Sequence, residues 1–300
     1  MQIQTQAGCN GRCVFCPNEA VLNSDLPHGK MSVELFHKII DELAEIPPRR
    51  IALYMMNEPL ADKRVPEFVE YVSRKVPTAK SQIITNGTYL TKEMGQNLVD
   101  AGLKQLKCSL QSLDDDINTE IMGYPATKVV ENCIAFQQTL HEKRATKRTD
   151  FRVSMVVTAQ NVDDIPDTRR FWKKHGVRLV TSALENRGGN IDEAENLNPT
   201  GDMKSMGDCI RPSRDLMILF NGEVPLCCVD WHRTTMLGDV SKQSIREIWQ
   251  DGPVQKVRCG LSEGDAAQLP EICVNCTESA LPNHHRRGLK GLMSRIAAAL

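Results

Sequence analysis

A chain of 300 residues, 41% hydrophobic and 25% charged, has the make-up of an ordinary soluble protein, long enough for a large α/β core and a smaller module. Its formal net charge of -1 excludes a global field for nucleic acid or an acidic membrane, and no uninterrupted apolar run is long enough to span a bilayer. The first residues lack a charged-then-apolar leader pattern, and 11 cysteines suit metal binding in a reducing compartment better than disulfides, so a cytoplasmic location is expected.

The first chemical feature along the chain is Cys9-Asn10-Gly11-Arg12-Cys13-Val14-Phe15-Cys16-Pro17, with cysteines spaced C-x3-C-x2-C. One short loop thus offers three thiolates to one metal centre. A [4Fe–4S] cube has four irons, so three protein thiolates leave one iron open to another ligand. Structural zinc is the competing reading. Zinc wants four ligands, and no histidine or fourth cysteine lies near, the first histidine being His28.

Beyond this loop, short apolar runs alternate with helical patterns. Val33 to Ile46 places Leu35, Ile39, Ile40 and Leu43 at helical spacing, with Ser32 as N-cap and Pro47-Pro48 as the stop. Strands are predicted over Arg50 to Met56, Gln82 to Thr85, Leu106 to Leu110, Arg152 to Thr158 and Val177 to Ala183. Between them fall helices over Val65 to Val76, Lys92 to Ala101 (closed by Gly102), Val129 to His141 and Ile165 to His175. Such alternation means a parallel sheet with right-handed crossovers, and about six units fit where a closed barrel needs eight. Chemistry in such sheets gathers at the C-terminal ends of the strands.

Asn186 to Asp208 is rich in Gly, Asn, Asp, Glu and Pro and reads as a linker from a first domain, 1–190, into a second, 191–300. Leu216 to Phe220 and Val224 to Val229 flank Asn221-Gly222, the signal of a hairpin. Ile245 to Trp249 starts a helix, and the basic run His284, His285, Arg286, Arg287 and Lys290 reads as a solvated end. A second set of thiols, Cys209, Cys227, Cys273 and Cys276, has the count for a closed [4Fe–4S] cluster or for structural zinc. Cys108 and Cys133 lie on apolar patterns and read as core residues. Cys228 follows Cys227 on a predicted strand, so its side chain is expected to point the other way.

The triplet, with an aromatic residue before its third cysteine, resembles the signature of the radical S-adenosylmethionine (SAM) superfamily. The segments Gly222-Glu223-Val224-Pro225-Leu226-Cys227-Cys228, Leu237-Gly238-Asp239-Val240 and Ile245-Arg246-Glu247-Ile248-Trp249 resemble that family's SPASM and twitch domains, and the likeness runs from Cys9 to Cys276. No cysteine follows Cys276, which points to the shorter twitch form with one auxiliary cluster. The resemblance implies a partial (β/α)6 TIM-like barrel, SAM chelated by the open iron on Cys9, Cys13 and Cys16, and a second [4Fe–4S] cluster on Cys209, Cys227, Cys273 and Cys276. It also implies a 5′-deoxyadenosyl radical that takes hydrogen from substrate, and a flavodoxin- or ferredoxin-type electron donor.

Residue by residue, Glu58 in Met56-Asn57-Glu58-Pro59 corresponds to the glutamate that holds the SAM ammonium, although the two preceding glycines of the family pattern are absent. Asn86 in Thr85-Asn86-Gly87 corresponds to an approach to the ribose and methionine moiety, or to a plain turn. Ser109 and Gln111 match ribose contacts, and Ser154 a carboxylate or ribose contact or an ordinary strand serine. Phe15 packs on adenine or in the core. Cys259 belongs to no ligand spacing; it is a candidate hydrogen donor, as in certain epimerases of the family, or an inert thiol. Glu185, Asp230 and Asp239 are candidates to meet substrate ammonium groups, or are solvated acids.

The overall plan is similar to members acting on carbinols of aminoglycosides and aminocyclitols. The leading expectation is epimerisation at a C–H of a polyhydroxylated small molecule, with Cys259 returning the hydrogen. The alternatives are a dehydrogenase that oxidises the alcohol through the auxiliary cluster, a peptide-modifying maturase, and a non-catalytic metal-cluster scaffold. No nucleic-acid or membrane partner is expected.

Overall fold

Side chains alternate in polarity along the central strands Gln105–Ser109 and Asp150–Val156, and that alternation decides which face of the sheet meets the helices. The computed structural model describes residues 1–191, 194–201, 209–250 and 252–277. The strands of the main sheet are β1 (Gln2–Ile3), β2 (Arg50–Ala52), β3 (Lys80–Thr85), β4 (Gln105–Ser109), β5 (Asp150–Val156), β6 (Arg178–Ser182) and β7 (Met217–Ile218). They lie in the order β6-β5-β4-β3-β2-β1-β7, every pair parallel. This is the expected α/β fold, open at its edge strands β6 and β7.

Helices α1 (Asn18–Leu22), α2 (Val33–Glu45), α3 (Val65–Lys75), α4 (Lys92–Asp100), α5 (Asp115–Met122), α6 (Thr127–Glu142) and α7 (Ile165–Lys174) fill the connections. Ser32 caps α2 by accepting from the Leu35 amide, and Thr91 caps α4 by accepting from Met94. Ile51, Ile83, Leu106, Val153 and Leu179 are buried in one core with Phe36, Val69, Leu98, Phe136 and Trp172 of the helices. The alternate positions, Arg50, Gln82, Lys107, Arg152 and Arg178, therefore face the other way and make the concave face polar.

Two differences from the predicted pattern bear on the site. The hairpin expected around Asn221-Gly222 is split. Its first arm, β7, joins the main sheet beside β1, while β8 (Glu223–Pro225) pairs antiparallel with β9 (Met236–Asp239). The tight turn survives, with the Leu219 amide donating to the Glu223 carbonyl at 2.8 Å. A strand from beyond the expected boundary at 190 thus completes the first domain's sheet. In addition, Asn186–Gly189 and α8 (Ala194–Leu197) occupy part of the expected linker.

The second module continues with α9 (Arg211–Arg214), α10 (Ile245–Gln250), α11 (Gly252–Glu263) and α12 (Glu271–Val274). The basic run from His284 to Lys290 lies outside the described residues. Among the described residues no helix is long and apolar enough to cross a membrane.

Gly87 closes β3 at φ +79°, and a Cβ built there would stand 2.5 Å from Cys108 Sγ and 2.8 Å from Val129 Cγ1. Left-handed strain and overpacking then act together, so Gly87→Ala is expected to cost about 2–4 kcal/mol. Denaturant unfolding of the two proteins checks this, and a loss under about 0.5 kcal/mol would mean the neighbours yield freely.

Candidate metal and cofactor site

The cysteine loop sits over the C-terminal end of the sheet. Its entrance is fixed where the Glu58 amide donates to the Gly8 carbonyl at 3.0 Å. Its middle is clamped to the end of α5, with Arg12 N donating to Met122 O at 3.0 Å and Val14 N to Ile121 O at 2.9 Å. Asn18, buried at the start of α1, draws the loop into a ring through its Nδ2, which donates to the carbonyls of Cys9 (3.2 Å) and Gly11 (3.3 Å).

The three thiols lie within electrostatic reach of one another. Burial pushes Cys9 up to about 11, and burial together with the other two sulfurs pushes Cys13 up further. Cys16 is also raised by burial, and Arg187 pulls Cys13 and Cys16 the other way. A Cβ at Gly11 would contact both Cys9 Sγ (3.6 Å) and Cys13 Sγ (3.7 Å), so the bare glycine keeps the gap between them clear. The Gly11 amide (3.3 Å) and Asn86 Nδ2 (3.7 Å) both donate to Cys9 Sγ. Three desolvated thiols become thiolates together only around a strong positive charge, and amide donors to sulfur favour that state. The donor set fits a [4Fe–4S] cluster with one iron left open.

The wall beside the loop is built from β2, β3, β4 and β5. Glu58 is 1% exposed, and its carboxylate accepts from Leu60 N (3.0 Å), Thr85 Oγ1 (2.6 Å) and Asn86 N (2.7 Å). It is a buried brace for the turn after β3 rather than an open acceptor. Asn86 donates to Asn10 Oδ1 at 2.8 Å and accepts from Thr88 Oγ1 at 2.7 Å, so it locks the cysteine loop to that turn. Gln111 is 1% exposed and caps β5, its Oε1 accepting from Val156 N at 2.8 Å. Phe15 is buried with Ile121, Met122 and Leu184 beneath the loop. Ser109 and Ser154 are half-buried cross-strand partners at the mouth.

The second thiol set also comes together. Cys209, Cys227, Cys273 and Cys276 act on one another electrostatically, with burial as the largest cause pushing Cys209 up to about 11 and Cys273 up to about 12. Four thiols within electrostatic reach of one another have the count for a cluster with no open iron, although among the described residues no group of three or more is already drawn in around a metal position. The expectation that Cys228 points away from Cys227 is wrong, because β8 ends at Pro225 and both cysteines lie in the turn that follows. Interaction with the Cys227 side chain lowers Cys228 to about 7, burial opposing and Arg211 assisting.

Sequence reasoning missed the segment joining the two thiol sets. Asn186 Nδ2 donates to the Asn275 carbonyl at 2.7 Å, and its Oδ1 accepts from Thr277 N at 3.1 Å. Gly188, at φ +71°, leaves no room for a side chain, since a Cβ would fall 2.8 Å from Ile272 Cγ1. This contact brings Arg187 near Cys13 and Cys16. Glu185 then bridges Arg187 (3.6 Å) and Arg211 (2.9 Å), and Arg211 Nη1 reaches Cys228 Sγ at 3.8 Å. The mixture of Gly, Asn and Arg in this stretch reads as a linker because the partners lie roughly ninety residues away.

The other candidates go elsewhere. Asp230 is fully buried and accepts from Thr234 N, Thr234 Oγ1 and Thr235 N, all at 2.9 Å, while Asp239 accepts from Ser241 and pairs with Lys242. Glu185 is paired with two arginines, although its Oε2 makes no hydrogen bond. Cys259 is exposed on α11. Its neighbour Arg258 points inward, donating to Pro212 O (2.8 Å) and Trp249 O (2.9 Å), so Cys259 lies on the outer side of that helix. Cys108 and Cys133 are buried in the core as expected.

Comparisons with known proteins agree with this geometry. The model of the Radical SAM superfamily matches residues 3–171, and that of an iron-sulfur cluster-binding domain, SPASM, matches 209–277. The S-adenosyl-L-methionine-dependent 2-deoxy-scyllo-inosamine dehydrogenase of Niallia circulans is 22% identical over 281 residues, covering 92% of this chain and 91% of that protein. The AdoMet-dependent heme synthase of Methanosarcina barkeri (strain Fusaro / DSM 804) is 27% identical over 195 residues, 64% of this chain and 52% of that one. Among solved structures, BtrN in complex with AdoMet and 2-DOIA superposes with TM-score 0.65 at 20% identity, covering 94% of this chain and 95% of that chain. The two domain matches imply SAM and two [4Fe–4S] clusters.

Anaerobically reconstituted protein is expected to hold about eight irons per chain, and Cys227→Ala about four. Asn18→Ala removes both bonds that close the cysteine loop and is expected to speed iron loss to a chelator several-fold without lowering the content of the second cluster. Iron assay and chelator kinetics followed by absorbance check both, and an unchanged rate in Asn18→Ala would show that the ring closure is dispensable.

Proposed function

The chain belongs to the Radical SAM superfamily, and on that premise we propose that it oxidises a carbinol carbon of a polyhydroxylated small molecule to a carbonyl. When bound, SAM and the open cluster would supply a 5′-deoxyadenosyl radical able to take the carbon's hydrogen as 5′-deoxyadenosine, and the second cluster would be available for the remaining electron, with the hydroxyl proton passing to solvent.

In this reading Cys9, Cys13 and Cys16 hold the first cluster, and Cys209, Cys227, Cys273 and Cys276 the second. Asn18 and Asn86 fix the loop of the first. Ser109 and Ser154 face the mouth and contact SAM or substrate. Glu58, Gln111 and Phe15 act as positioning residues, holding the backbone that SAM lies against. A flavodoxin- or ferredoxin-type protein is the proposed source of the initiating electron.

The observation that carries oxidation over epimerisation is the placement of the thiols. Epimerisation needs a thiol at the mouth to return a hydrogen atom. Of the 11 cysteines, seven make up the two sets, Cys108 and Cys133 are in the core, and Cys259 is outside on α11, which leaves half-buried Cys228; it acts on Tyr54 beyond β2 but is engaged by Cys227 and Arg211. The dehydrogenase name of the relative spanning nearly the whole chain supports the same choice.

Under this proposal a reduced sample forms 5′-deoxyadenosine and carbonyl product in equal amounts. Cys259→Ala is expected to behave as wild type, whereas Cys227→Ala still cleaves SAM but loses carbonyl product by about a hundredfold or more. Product with an inverted carbon, abolished in Cys259→Ala, would replace oxidation by epimerisation.

A further inference from the structure

The ladder from β4 to β6 places three cations side by side. Lys107 pairs with Arg152, and Arg152 with Arg178. Their sequence neighbours Leu106, Cys108, Val153 and Leu179 are buried against the helices, so the three cations share the concave face. Like charges directly opposite one another destabilise a sheet, and the fold itself gains nothing from this row.

Only one of the three is answered internally. Arg152 donates to Asp150 at 2.8 and 2.6 Å, and the same carboxylate accepts from Gln105 (2.6 Å) and pairs with Lys80 (3.4 Å). Lys107 and Arg178 have no ion pair or hydrogen bond with the described residues. Burial, then the charges of Arg152 and Arg50, push the Lys107 ammonium below the usual lysine range, with Asp150 only partly opposing. Arg50 itself is paired with Asp215 at 3.1 Å. The face therefore carries unanswered positive charge, while the acids that an ammonium would need are in internal use.

The row also has the right depth. It lies two residues, about 7 Å, below Ser109 and Ser154 at the mouth. A group held there leaves the remainder of a sugar-sized molecule beneath the cysteine loop. We propose that the substrate carries an oxyanion, a phosphate ester or a carboxylate, bound by Lys107 and Arg178 with Arg152 beside them. This rests on the oxidation reading and gives it a substrate class. Paired cationic donors on an oxyanion make short, charge-assisted hydrogen bonds, and the anion relieves the repulsion within the row.

Titration calorimetry of the holoenzyme with SAM, at fixed ionic strength, tests this with glucose 6-phosphate, glucuronate, glucose and glucosamine. At least one anionic ligand is expected to bind about tenfold or more tighter than glucose, with glucosamine weakest. Lys107→Met should weaken that anion by about ten- to a hundredfold, and Lys107→Arg should restore most of it. Competition by inorganic phosphate but not acetate assigns a phosphate ester, and the reverse a carboxylate. Without ligand, Lys107→Met should raise the Tm, because a like charge is removed; a lysine with a purely structural role would lower it. Failure of every anion to bind, equal affinity for glucosamine, or unchanged anion affinity in Lys107→Met overturns the proposal. Release of 5′-deoxyadenosine is read separately. Anion binding without SAM cleavage sinks the oxidation reading and leaves the anion site standing, and turnover of neutral or amino polyols alone does the opposite.

Discussion

Glu58 accepts hydrogen bonds from three directions while its own amide holds the Gly8 carbonyl. One residue thus ties the entrance of the cysteine loop, through its amide, to the turns after β2 and β3, through its carboxylate. Burial pushes its carboxyl up to about 7, against the pull of those hydrogen bonds. A buried carboxylate is costly unless its oxygens are satisfied, and here they are satisfied by the backbone that must stay in place. Asn86 carries the order one step further, from that turn to Asn10 and Cys9. The geometry of the thiol trio depends on this chain of bonds.

Charge is distributed with the same economy. Seven thiols are gathered in two sets, partly or fully buried, where they would repel one another as thiolates and so favour a metal. Between the sets runs the line Arg187, Glu185 and Arg211, in which one acid answers two arginines. Asp230, Asp239, Glu247 and Asp265 of the second module are absorbed by turns and ion pairs. The concave face of the sheet is different, since its cations exceed the acids that could answer them. Sites that break the usual pairing rules are where function is expected, because the fold alone does not repay them.

Much of the sheet and its helices could be read directly. Helices α2, α3, α4, α6 and α7 begin and end within a few residues of their predicted limits, because caps, prolines and apolar spacing are local signals. Strand β1 has only two residues, too few for a periodic pattern to show, and α5 and α11 were passed over as well. The hairpin failed for another reason. Asn221-Gly222 does make a tight turn, but which strand pairs with which is settled by distant partners, and β1 competes successfully for β7.

The site divides along the same line. Spacing of cysteines announced the metal loop and the Cys273/Cys276 pair, since ligands a few residues apart must lie close in space whatever the fold, whereas Cys209 and Cys227 join that pair only through the fold. The roles of Glu58, Gln111 and Cys259 were not legible, because a residue's type does not reveal whether it faces a cavity, a backbone amide or water. By itself, then, the sequence determined most of the strand–helix order, the two cysteine sets as candidate cluster donors, and the family. Tertiary structure alone decided that Arg187 stands near the thiol trio, that Cys259 faces outward, and that Lys107, Arg152 and Arg178 form one row. Those facts depend on register between strands and contacts between segments far apart in the chain, which arise only when the hydrophobic faces have packed.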